Sequence, residues 1–560
     1  MSRSNDKLDA LRAGCSEIEN HYIDELRAGR VSRRDFIRKG SVIGLSLPTL
    51  GAVLAACGAA NSASSSAAAG PKKRGGTVRI AQQVPTASIN PLSIDDIGGL
   101  NMLAQVGDFL IRDNLGFKGA PLLPGLALSW RPNADGTEWT FKLRSGVKFH
   151  DGSPMTADDV VYTFRQLADP SNASNALSVY KGILSPAGVQ KVNSHAVKFH
   201  LEAPIGNFPY LVSTDTYNAI IVRNGTDYAK WHKTFLATGP WRMQSYSPNE
   251  GASFAANPAY WGQKPLLAST KWTFYSGQAP QILALQGGTV DVVNGFAVGG
   301  AQALLHNPQY NIVSFKTAIH NELSMRTDQA PFTDPRFRQA VALTLDRPTI
   351  IKALLGGYGV VGNDSPFAPI YPSTNTSVPQ RKQDLAKAKQ LLADAGHPNG
   401  FSTTLFTEQY QELPNLAQTV AADAKKIGID IKLNVEVESA YYGKSVFGSS
   451  DWLDGTMSLV NYAGRGVPNV VLGAVYTTDG VWNAARFHNK QYDGLFKQYV
   501  AAVDLQSQRQ IAGKIEQLLL AETPVIFSYF NDQLIASKSN VHGVYGSQSQ
   551  QFFFDRAYVS

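Results

Sequence analysis

The side chains that could carry chemistry lack the spacing that catalysis or metal binding requires. The ten histidines form no His-x-His or His-x-x-x-His pair, and neither H-E-x-x-H nor G-x-S-x-G occurs. Asp158 and Asp159 could bind a metal, but they follow Thr156 at the start of an amphipathic stretch. Acidic residues at that position are better explained as a helix cap. The sequence therefore predicts no catalytic residue and no metal site.

One glycine-rich segment fits a nucleotide-binding pattern. Residues 357–362 read Gly-Tyr-Gly-Val-Val-Gly, which matches G-x-G-x-x-G. A dinucleotide site needs a strand before this pattern and a helix after it. Here a predicted helix precedes the glycines, and Asn363-Asp364-Ser365-Pro366 follows them. We interpret the segment as a glycine-rich turn and predict no cofactor.

The first 57 residues resemble an export signal with a lipid anchor. Arg33 and Arg34 precede Phe36 in a pattern similar to the twin-arginine signal, and residues 40–56 carry no charge. The segment ends in Leu-Ala-Ala-Cys, which resembles a lipobox in which Cys57 is lipidated. An uncleaved membrane helix is the alternative. We expect a signal peptide over 1–56, and the lipidated cysteine with a flexible linker over 57–75, because that stretch is small and polar.

Composition excludes several classes of protein. The chain has 560 residues, of which 43% are hydrophobic and 17% charged, so it can bury a large core and is not a charged disordered chain. Its net charge of +7 is concentrated before residue 75, and no basic run follows, which excludes nucleic acid as a partner. Cys15 and Cys57 are its two cysteines, so cysteine-ligated zinc and thiol catalysis are excluded from a mature chain.

Hydrophobic periodicity predicts the elements beyond the linker. Alternating apolar residues indicate strands at 77–81 and 139–143. Capping residues indicate helices that begin after Thr156 and after Asp334. Mixed strands and helices without strict βαβ repetition predict an α/β (mixed α+β) body of more than one lobe.

Several long segments resemble the family 5 extracellular solute-binding proteins of ABC transporters, the oligopeptide, dipeptide and nickel group. The most specific match covers Trp139–Gly152 with Thr156–Val160 and resembles "FxLRxGVKFHDGxPxTADDV". The matches run in family order from about residue 76 to 543. The other matching segments are 123–130, 238–241 with 257–261, 332–347, 486–493 and 522–526.

The resemblance implies a two-lobe, type II periplasmic-binding-protein-like fold with an extra subdomain in lobe I. Carried over by motif order, lobe I covers 76–112, 238–318 and 525–560, the extra subdomain covers 113–237, and lobe II covers 319–524.

The resemblance also implies a function. A monomeric, lipid-anchored protein on the periplasmic or cell-surface side captures a small solute between closing lobes and delivers it to the permease and ATPase subunits of an ABC transporter. The alternatives are a ligand-binding subunit of a sensory receptor and, less well supported, an exported hydrolase.

The resemblance also indicates where solute binds, and here the chain departs from the family. The aspartate that binds a peptide amine in the family falls at Ala463 or Gly464, and no acid occurs between Gly455 and Thr478. Arg465 in this segment suits a carboxylate or phosphate. We therefore expect an N-blocked or acidic peptide, an anionic conjugate or a polar sugar. The alternative is that Arg465 lies on an exposed loop.

Other candidate ligand-binding residues flank this segment or follow the first strand. Asn461 and Tyr462 are predicted to line the cleft. Tyr441, Tyr442 and Trp452 would form an aromatic wall, unless two of the three belong to the core. In lobe I, the resemblance adds two residues after the first strand, namely Asn90 and Ile94.

Overall fold

A mixed sheet of eleven strands runs through the body of the protein. The computed structural model describes residues 73–85, 88–115, 117 and 119–560. The predicted strands at 77–81 and 139–143 are confirmed as β1 and β5. The strands are β1 (Thr77–Gln83), β2 (Ile111–Asp113), β3 (Leu122–Pro124), β4 (Ala127–Pro132), β5 (Glu138–Leu143), β6 (Val189–Asn193), β7 (Ala196–His200), β8 (Trp241–Ser247), β9 (Gly251–Ala256), β10 (Ser269–Tyr275), β11 (Val292–Phe296), β12 (Tyr310–Met325), β13 (Gly359–Val361), β14 (Ser402–Glu408), β15 (Asp430–Glu436), β16 (Met457–Tyr462), β17 (Val525–Lys538), β18 (Val541–His542), β19 (Tyr545–Gly546), β20 (Phe552–Phe553) and β21 (Tyr558–Val559).

Helices pack around these strands, and the predicted helix starts are confirmed. Thr156 and Asp159 form a capping box at the start of α2, and Asp334 caps α7, in which Pro335 is the first residue. The α-helices are α1 (Ile97–Val106), α2 (Ala157–Ala168), α3 (Leu177–Tyr180), α4 (Phe208–Leu211), α5 (Gln278–Gln286), α6 (Gln302–Leu305), α7 (Pro335–Leu343), α8 (Arg347–Leu355), α9 (Leu385–Asp394), α10 (Leu413–Lys425), α11 (Glu438–Tyr442), α12 (Asp451–Asp454), α13 (Asn469–Tyr476), α14 (Lys490–Ala501) and α15 (Leu505–Glu522). Short 3-10 helices cover Pro170–Asn172, Pro186–Gly188 and Tyr228–Lys233.

The two longest strands join the two halves of the large sheet. Its strand order is β15-β14-β16-β12-β17-β11-β1-β10-β9-β8, and β13 also pairs with β17. The antiparallel strands β12 and β17 pair along most of their length, but the register shifts between Lys316 and Glu322. On one side of this shift β17 pairs with β11, and on the other β12 pairs with β16. The two halves of the sheet therefore meet at the irregular centre of β12 and β17.

This register bears on the proposed lobe boundaries. Residues 525–530 of β17 pair with residues 320–324 of β12, and Ile526 and Tyr529 belong to the hydrophobic core of the half that contains α7–α10. Residues 534–537 of β17 instead pair with β11. Leu534 and Ala536 belong to the same hydrophobic core as Val293. We propose that β17 passes from lobe II to lobe I near residue 531, later than the boundary at 525 expected from motif order.

A second sheet lies in the segment predicted as the extra subdomain. Strands β4, β5, β7 and β6 form an antiparallel sheet in that order. Helix α2 supplies Phe164 to the same core as Phe141 and Phe199, whose rings pack edge to face.

The two sequence motifs that imitate functional sites have structural explanations. The Asp159 carboxylate accepts the amide of Thr156 at 2.7 Å, and Asp158 pairs with Lys191 at 2.8 Å. The glycine-rich segment 357–362 contains β13, which pairs with β17 and does not lead into a helix. The acidic pair therefore belongs to a helix cap, as the sequence predicts. The interpretation of 357–362 as a turn is correct only at its start, because Gly359–Val361 form a strand.

Two expectations concern residues that the structure does not describe. Arg33, Arg34 and Cys57 lie outside the described residues. Among the described helices, none has the length and hydropathy of a membrane span.

Candidate functional site

A polar cavity of about 300 Å³ lies where the two halves of the large sheet meet. One wall comes from the ends of β1 and β11, from α5 and from the centre of β17. The other wall comes from β12, β16 and the turn before α10. Many of its lining side chains are carboxamides, namely Gln82, Gln83, Gln278, Gln281, Asn294, Gln411, Asn461, Asn531, Gln533 and Gln550. Such a lining can both donate hydrogen bonds to a polar solute and accept them from it.

Glu412 connects the two walls of this cavity. Its Oε1 atom accepts hydrogen bonds from Asn531 Nδ2 at 2.9 Å, Asn321 Nδ2 at 3.2 Å and Tyr529 Oη at 3.3 Å. The preceding residue, Gln411, has a φ of 42°, which makes the sharp turn from β14 into α10. This carboxylate therefore ties the start of α10 to both of the long central strands.

Of the residues predicted from the sequence to bind ligand, Asn461 is the one that lines this cavity. Its Nδ2 atom donates to Asn321 Oδ1 at 2.7 Å, and Asn321 in turn donates to Glu412. The hydrogen bonds thus hold the Asn461 carboxamide in a network shared with Asn531.

Four predicted aromatic residues come together in a cluster beside the cavity. Trp452 packs against Tyr442 with ring centroids 5.3 Å apart, and Tyr462 stacks on Trp482 at 5.6 Å. Tyr441 is fully buried, and its hydroxyl donates to the carbonyl of Leu459 at 2.9 Å. None of these aromatic residues is part of the cavity lining. In this conformation the cluster packs against β16 and does not line the cavity. Two of its members, Tyr441 and Trp452, are buried core residues.

Asn90 and Ile94 also lie outside the lining of the cavity. Asn90 Oδ1 accepts the backbone amide of Leu92 at 2.9 Å, which stabilises the turn after β1. Ile94 is fully buried and lies directly against Gly99 at the start of α1. Both residues shape the approach to α1, and as ligand contacts they stay a prediction.

Arg465 lies in a segment, residues 463–468, that packs against the predicted extra subdomain and the C-terminal region. Its carbonyl accepts the hydroxyl of Tyr371 at 2.7 Å. Neighbouring Gly466 is so close to Asp215 that a β-carbon there would lie 1.6 Å from the carboxylate. Arg465 itself is half-buried and does not line the cavity. The cavity therefore gives no support to the anionic solute that Arg465 suggested.

Beneath this segment lie two buried carboxyl groups, those of Asp113 and Asp215. Gln548 Nε2 lies 3.4 Å from Asp113 Oδ2 and 3.5 Å from Asp215 Oδ1. Burial raises the pKa of Asp215 to about 6, and burial together with the charge of Asp215 raises the pKa of Asp113. Because burial disfavours the charge of both groups and two adjacent carboxylates repel each other, we expect the pair to retain a proton at a higher pH than ordinary carboxyl groups do.

We predict that Asp215→Asn removes part of the pH dependence of stability. A carboxyl group with a raised pKa in the folded state stabilises the fold most below its unfolded pKa, and this contribution is lost as the pH rises through about 6. The difference in free energy of unfolding between wild type and variant should change by up to about 3 kcal/mol between pH 4 and pH 8, in favour of the variant at pH 8. Urea unfolding of both proteins at pH 4 and at pH 8 measures this difference in free energy of unfolding.

The matched control is Asp151→Asn. The pKa of Asp151 is lowered, first by its hydrogen bond with Ser153, so its contribution has the opposite sign. A difference in free energy of unfolding for Asp215→Asn that is the same at pH 4 and pH 8 would contradict the raised pKa of Asp215.

Comparison with known proteins identifies the family. The family model described as "Bacterial extracellular solute-binding proteins, family 5 Middle" matches residues 122–480, and the chain belongs to this family. Heme-binding protein A of Haemophilus influenzae is 26% identical over 514 residues, which cover 86% of this chain and 92% of that protein. The periplasmic murein peptide-binding protein MppA of Escherichia coli is 24% identical over 477 residues, with 80% and 87% covered.

Solved structures share the fold. HbpA2 from Haemophilus parasuis has a TM-score of 0.75 and 22% identity, and covers 87% of this chain and 100% of its own. The periplasmic binding protein DppA from Helicobacter pylori, solved with the peptide STSA, has a TM-score of 0.68 and 22% identity, with 87% and 98% covered. The predicted fold class, a mixed α/β two-lobe binding-protein fold, is confirmed. Family membership supports a substrate-binding role on the extracytoplasmic side of the membrane.

Sequence reasoning missed most of the residues that line the cavity. Gln82, Asn294, Glu412 and Asp532 are far apart in sequence, and no motif links them. A weak signal existed for Glu412, since it precedes Leu413-Pro414 at a helix start. The topology of the large sheet, rather than local spacing, brings these residues together.

Proposed function

We propose that this chain is the substrate-binding component of an ABC importer and that it captures a small, polar, peptide-like solute in the cavity between the two halves of its large sheet. The observation that carries the proposal is the carboxamide-rich lining of this cavity, supplied by both halves. A peptide offers alternating donors and acceptors that such side chains can pair.

Closure would couple binding to delivery. Solute that contacts both halves is bound more tightly when they close, so it shifts the protein toward the closed form. The permease would then recognise that form. The similarity to the murein peptide-binding protein supports a peptide-like solute. The similarity to heme-binding protein A is the reason for testing other solutes as well.

We also propose a route of export and a lipid anchor for this protein. Export through the twin-arginine pathway would use Arg33 and Arg34, and lipidation of Cys57 would hold a monomer at the membrane through the linker at 57–75. Loss of membrane attachment on Cys57→Ser, measured by cell fractionation, tests this part.

A thermal-shift screen tests the proposed function. The purified protein is heated with peptides bearing free or blocked N-termini, opines, sugars, haem and metal chelates. A solute at 100 times its Kd adds about 2.7 kcal/mol of stability, which raises the Tm of a body of this size by about 2–3 °C. A screen in which no solute raises the Tm, or in which a bound solute is converted to product, would refute the proposal.

A further inference from the structure

A second cavity, of about 250 Å³, lies beside the C-terminal hairpin of the protein. Strands β2 and β3 form one side of it, and the hairpin of β19 and β20 forms the other. Among the described residues, the first and second cavities have no lining residue in common. Phe552 lines the first cavity and Phe553 lines the second, because neighbouring residues of a strand point to opposite faces. The hairpin therefore separates two distinct cavities.

Apolar and aromatic side chains form one part of the second lining, namely Leu123, Val544, Tyr545 and Phe553. Tyr545 and Phe553 are cross-strand partners, and their rings stack with centroids 5.2 Å apart. The Tyr545 hydroxyl also donates to Asp555 Oδ1 at 2.8 Å, which holds the ring in place. A preformed apolar surface of this kind favours a ligand with an apolar body.

The two arginines of the lining differ in how their charges are balanced. Arg112 Nη2 lies 3.2 Å from Asp108 Oδ1, and Arg112 Nη1 lies 3.4 Å from Asp555 Oδ2, so two carboxylates offset this charge. Arg556 is exposed, and its guanidinium lies 4.6 Å from the centre of the Tyr545 ring. Arg556 forms no ion pair with any described residue. The second cavity therefore presents one accessible cation whose charge no carboxylate of the described chain offsets.

Asp113 is the acidic residue of this lining, and its hydrogen bonds are directed toward other groups. Asp113 Oδ1 accepts the amide of Leu115 at 2.6 Å, and Gln548 Nε2 lies 3.4 Å from Asp113 Oδ2. Burial, together with the charge of Asp215, raises the pKa of Asp113, which disfavours its charged form. Asp113 therefore does not act as the counter-ion of Arg556.

We propose that the second cavity binds a small monocarboxylate with an apolar body. The carboxylate pairs with the Arg556 guanidinium, and the apolar body lies against Leu123 and Phe553. A single unpaired cation suits one negative charge better than the charge of nearly two that a phosphate monoester carries. The cavity is smaller than the sites of about 300–1,000 Å³ that hold drug-sized ligands, so the ligand is a small molecule. This site goes beyond the proposed function and does not depend on it, because the first cavity contributes no residue to it.

Fluorine NMR titration of the full chain tests the assigned chemistry. The probe is para-fluorophenylacetate, and para-fluorophenylacetamide has the same shape without the charge. The carboxylate should bind with a Kd of about 1 mM or lower and about 10-fold or more tightly than the amide. Fluoroacetate has the charge but lacks the apolar body, so it should bind about 10-fold or more weakly than para-fluorophenylacetate.

Arg556→Gln tests the assigned residue. The substitution removes the charge, so the affinity for the carboxylate should fall about 10-fold, to that of the amide, and the affinity for the amide should stay the same. Arg131→Gln is the matched control, because Arg131 is also exposed and lies outside the lining, and it should leave both affinities unchanged. Leu123→Trp fills the cavity and should abolish the binding of both probes. If Leu123→Trp does not fold, Arg556→Gln still decides, since Arg556 lies at an exposed position.

Gln281→Trp separates this site from the first cavity. An indole at this position occupies the first cavity, so the folded variant should bind para-fluorophenylacetate as tightly as wild type. Loss of binding in this variant, equal affinities for the carboxylate and the amide, or an unchanged affinity in Arg556→Gln would each overturn the proposal. The proposal is also overturned if no probe binds at concentrations up to about 10 mM. None of these results refutes solute binding in the first cavity, which the thermal-shift screen tests.

Discussion

Replacing Asp364 with alanine is expected to lower the free energy of unfolding by about 3–5 kcal/mol. Asp364 is fully buried, and its two oxygens accept Arg347 Nη2 at 2.7 Å and Arg381 Nη1 at 2.6 Å. Its Oδ1 atom also accepts the amide of Phe527 on β17 at 3.0 Å. Without this carboxylate, the guanidinium of Arg347, which is 1% exposed, would stay buried without a counter-ion.

Urea unfolding at pH 7 measures this change. Asp328→Ala is the control, since it breaks an ion pair of 2.7 Å with Arg326 in which the aspartate is 43% exposed. An exposed pair of this kind contributes less than about 1 kcal/mol. If the two variants lose similar free energy, the buried cluster does not stabilise this junction of α8 with β17.

Local patterns in the sequence predicted the local elements correctly. Thr156 and Asp159 form a capping box. At a helix start, a hydroxyl and a carboxylate three residues apart can each accept a hydrogen bond from the other's backbone amide. The alternation of Trp139, Phe141 and Leu143 appears as alternate burial along β5. Such features depend on neighbours within a few residues, so one sequence is sufficient to predict them.

The pairing register of β12 with β17 could not be predicted in the same way. Both strands are buried on two faces over much of their length, so they lack the alternation that sets a register. The register shift between Lys316 and Glu322 depends on pairing over about two hundred residues of chain. The motif order predicts a lobe boundary at 525, and from the pairing we propose that it lies near 531.

Only one residue that lines the candidate cavity was predicted from the sequence, for a related reason. Asn461 was found because it lies in a segment that the family resemblance marks. Glu412 belongs to a segment with no such mark, and its contact with Asn531 arises only from the tertiary fold. Arg465 drew attention through its charge, but the close approach of Gly466 to Asp215 holds its segment against a different surface.

We expect Gln281→Trp to weaken solute binding by at least 100-fold. Gln281 lies on α5, is 4% exposed and lines the cavity. An indole at this position would occupy space that the solute needs in a cavity of about 300 Å³. The large loss follows because a bulky ring cannot be accommodated without displacing a tightly packed solute.

Leu283→Trp is the matched control. It places the same indole on the same helix at a position that is 66% exposed, so its solute affinity should equal that of wild type. Equal Tm values for the two variants without solute would show that overpacking has not unfolded the first.

Calorimetric titration of wild type, Gln281→Trp and Leu283→Trp, with a solute that stabilises the wild type, tests whether the cavity binds the solute. We expect one solute per chain for wild type and for Leu283→Trp, with equal affinity, and no measurable binding to Gln281→Trp. If Gln281→Trp is folded and binds the solute as tightly as wild type, the solute does not occupy the cavity between the two halves of the sheet.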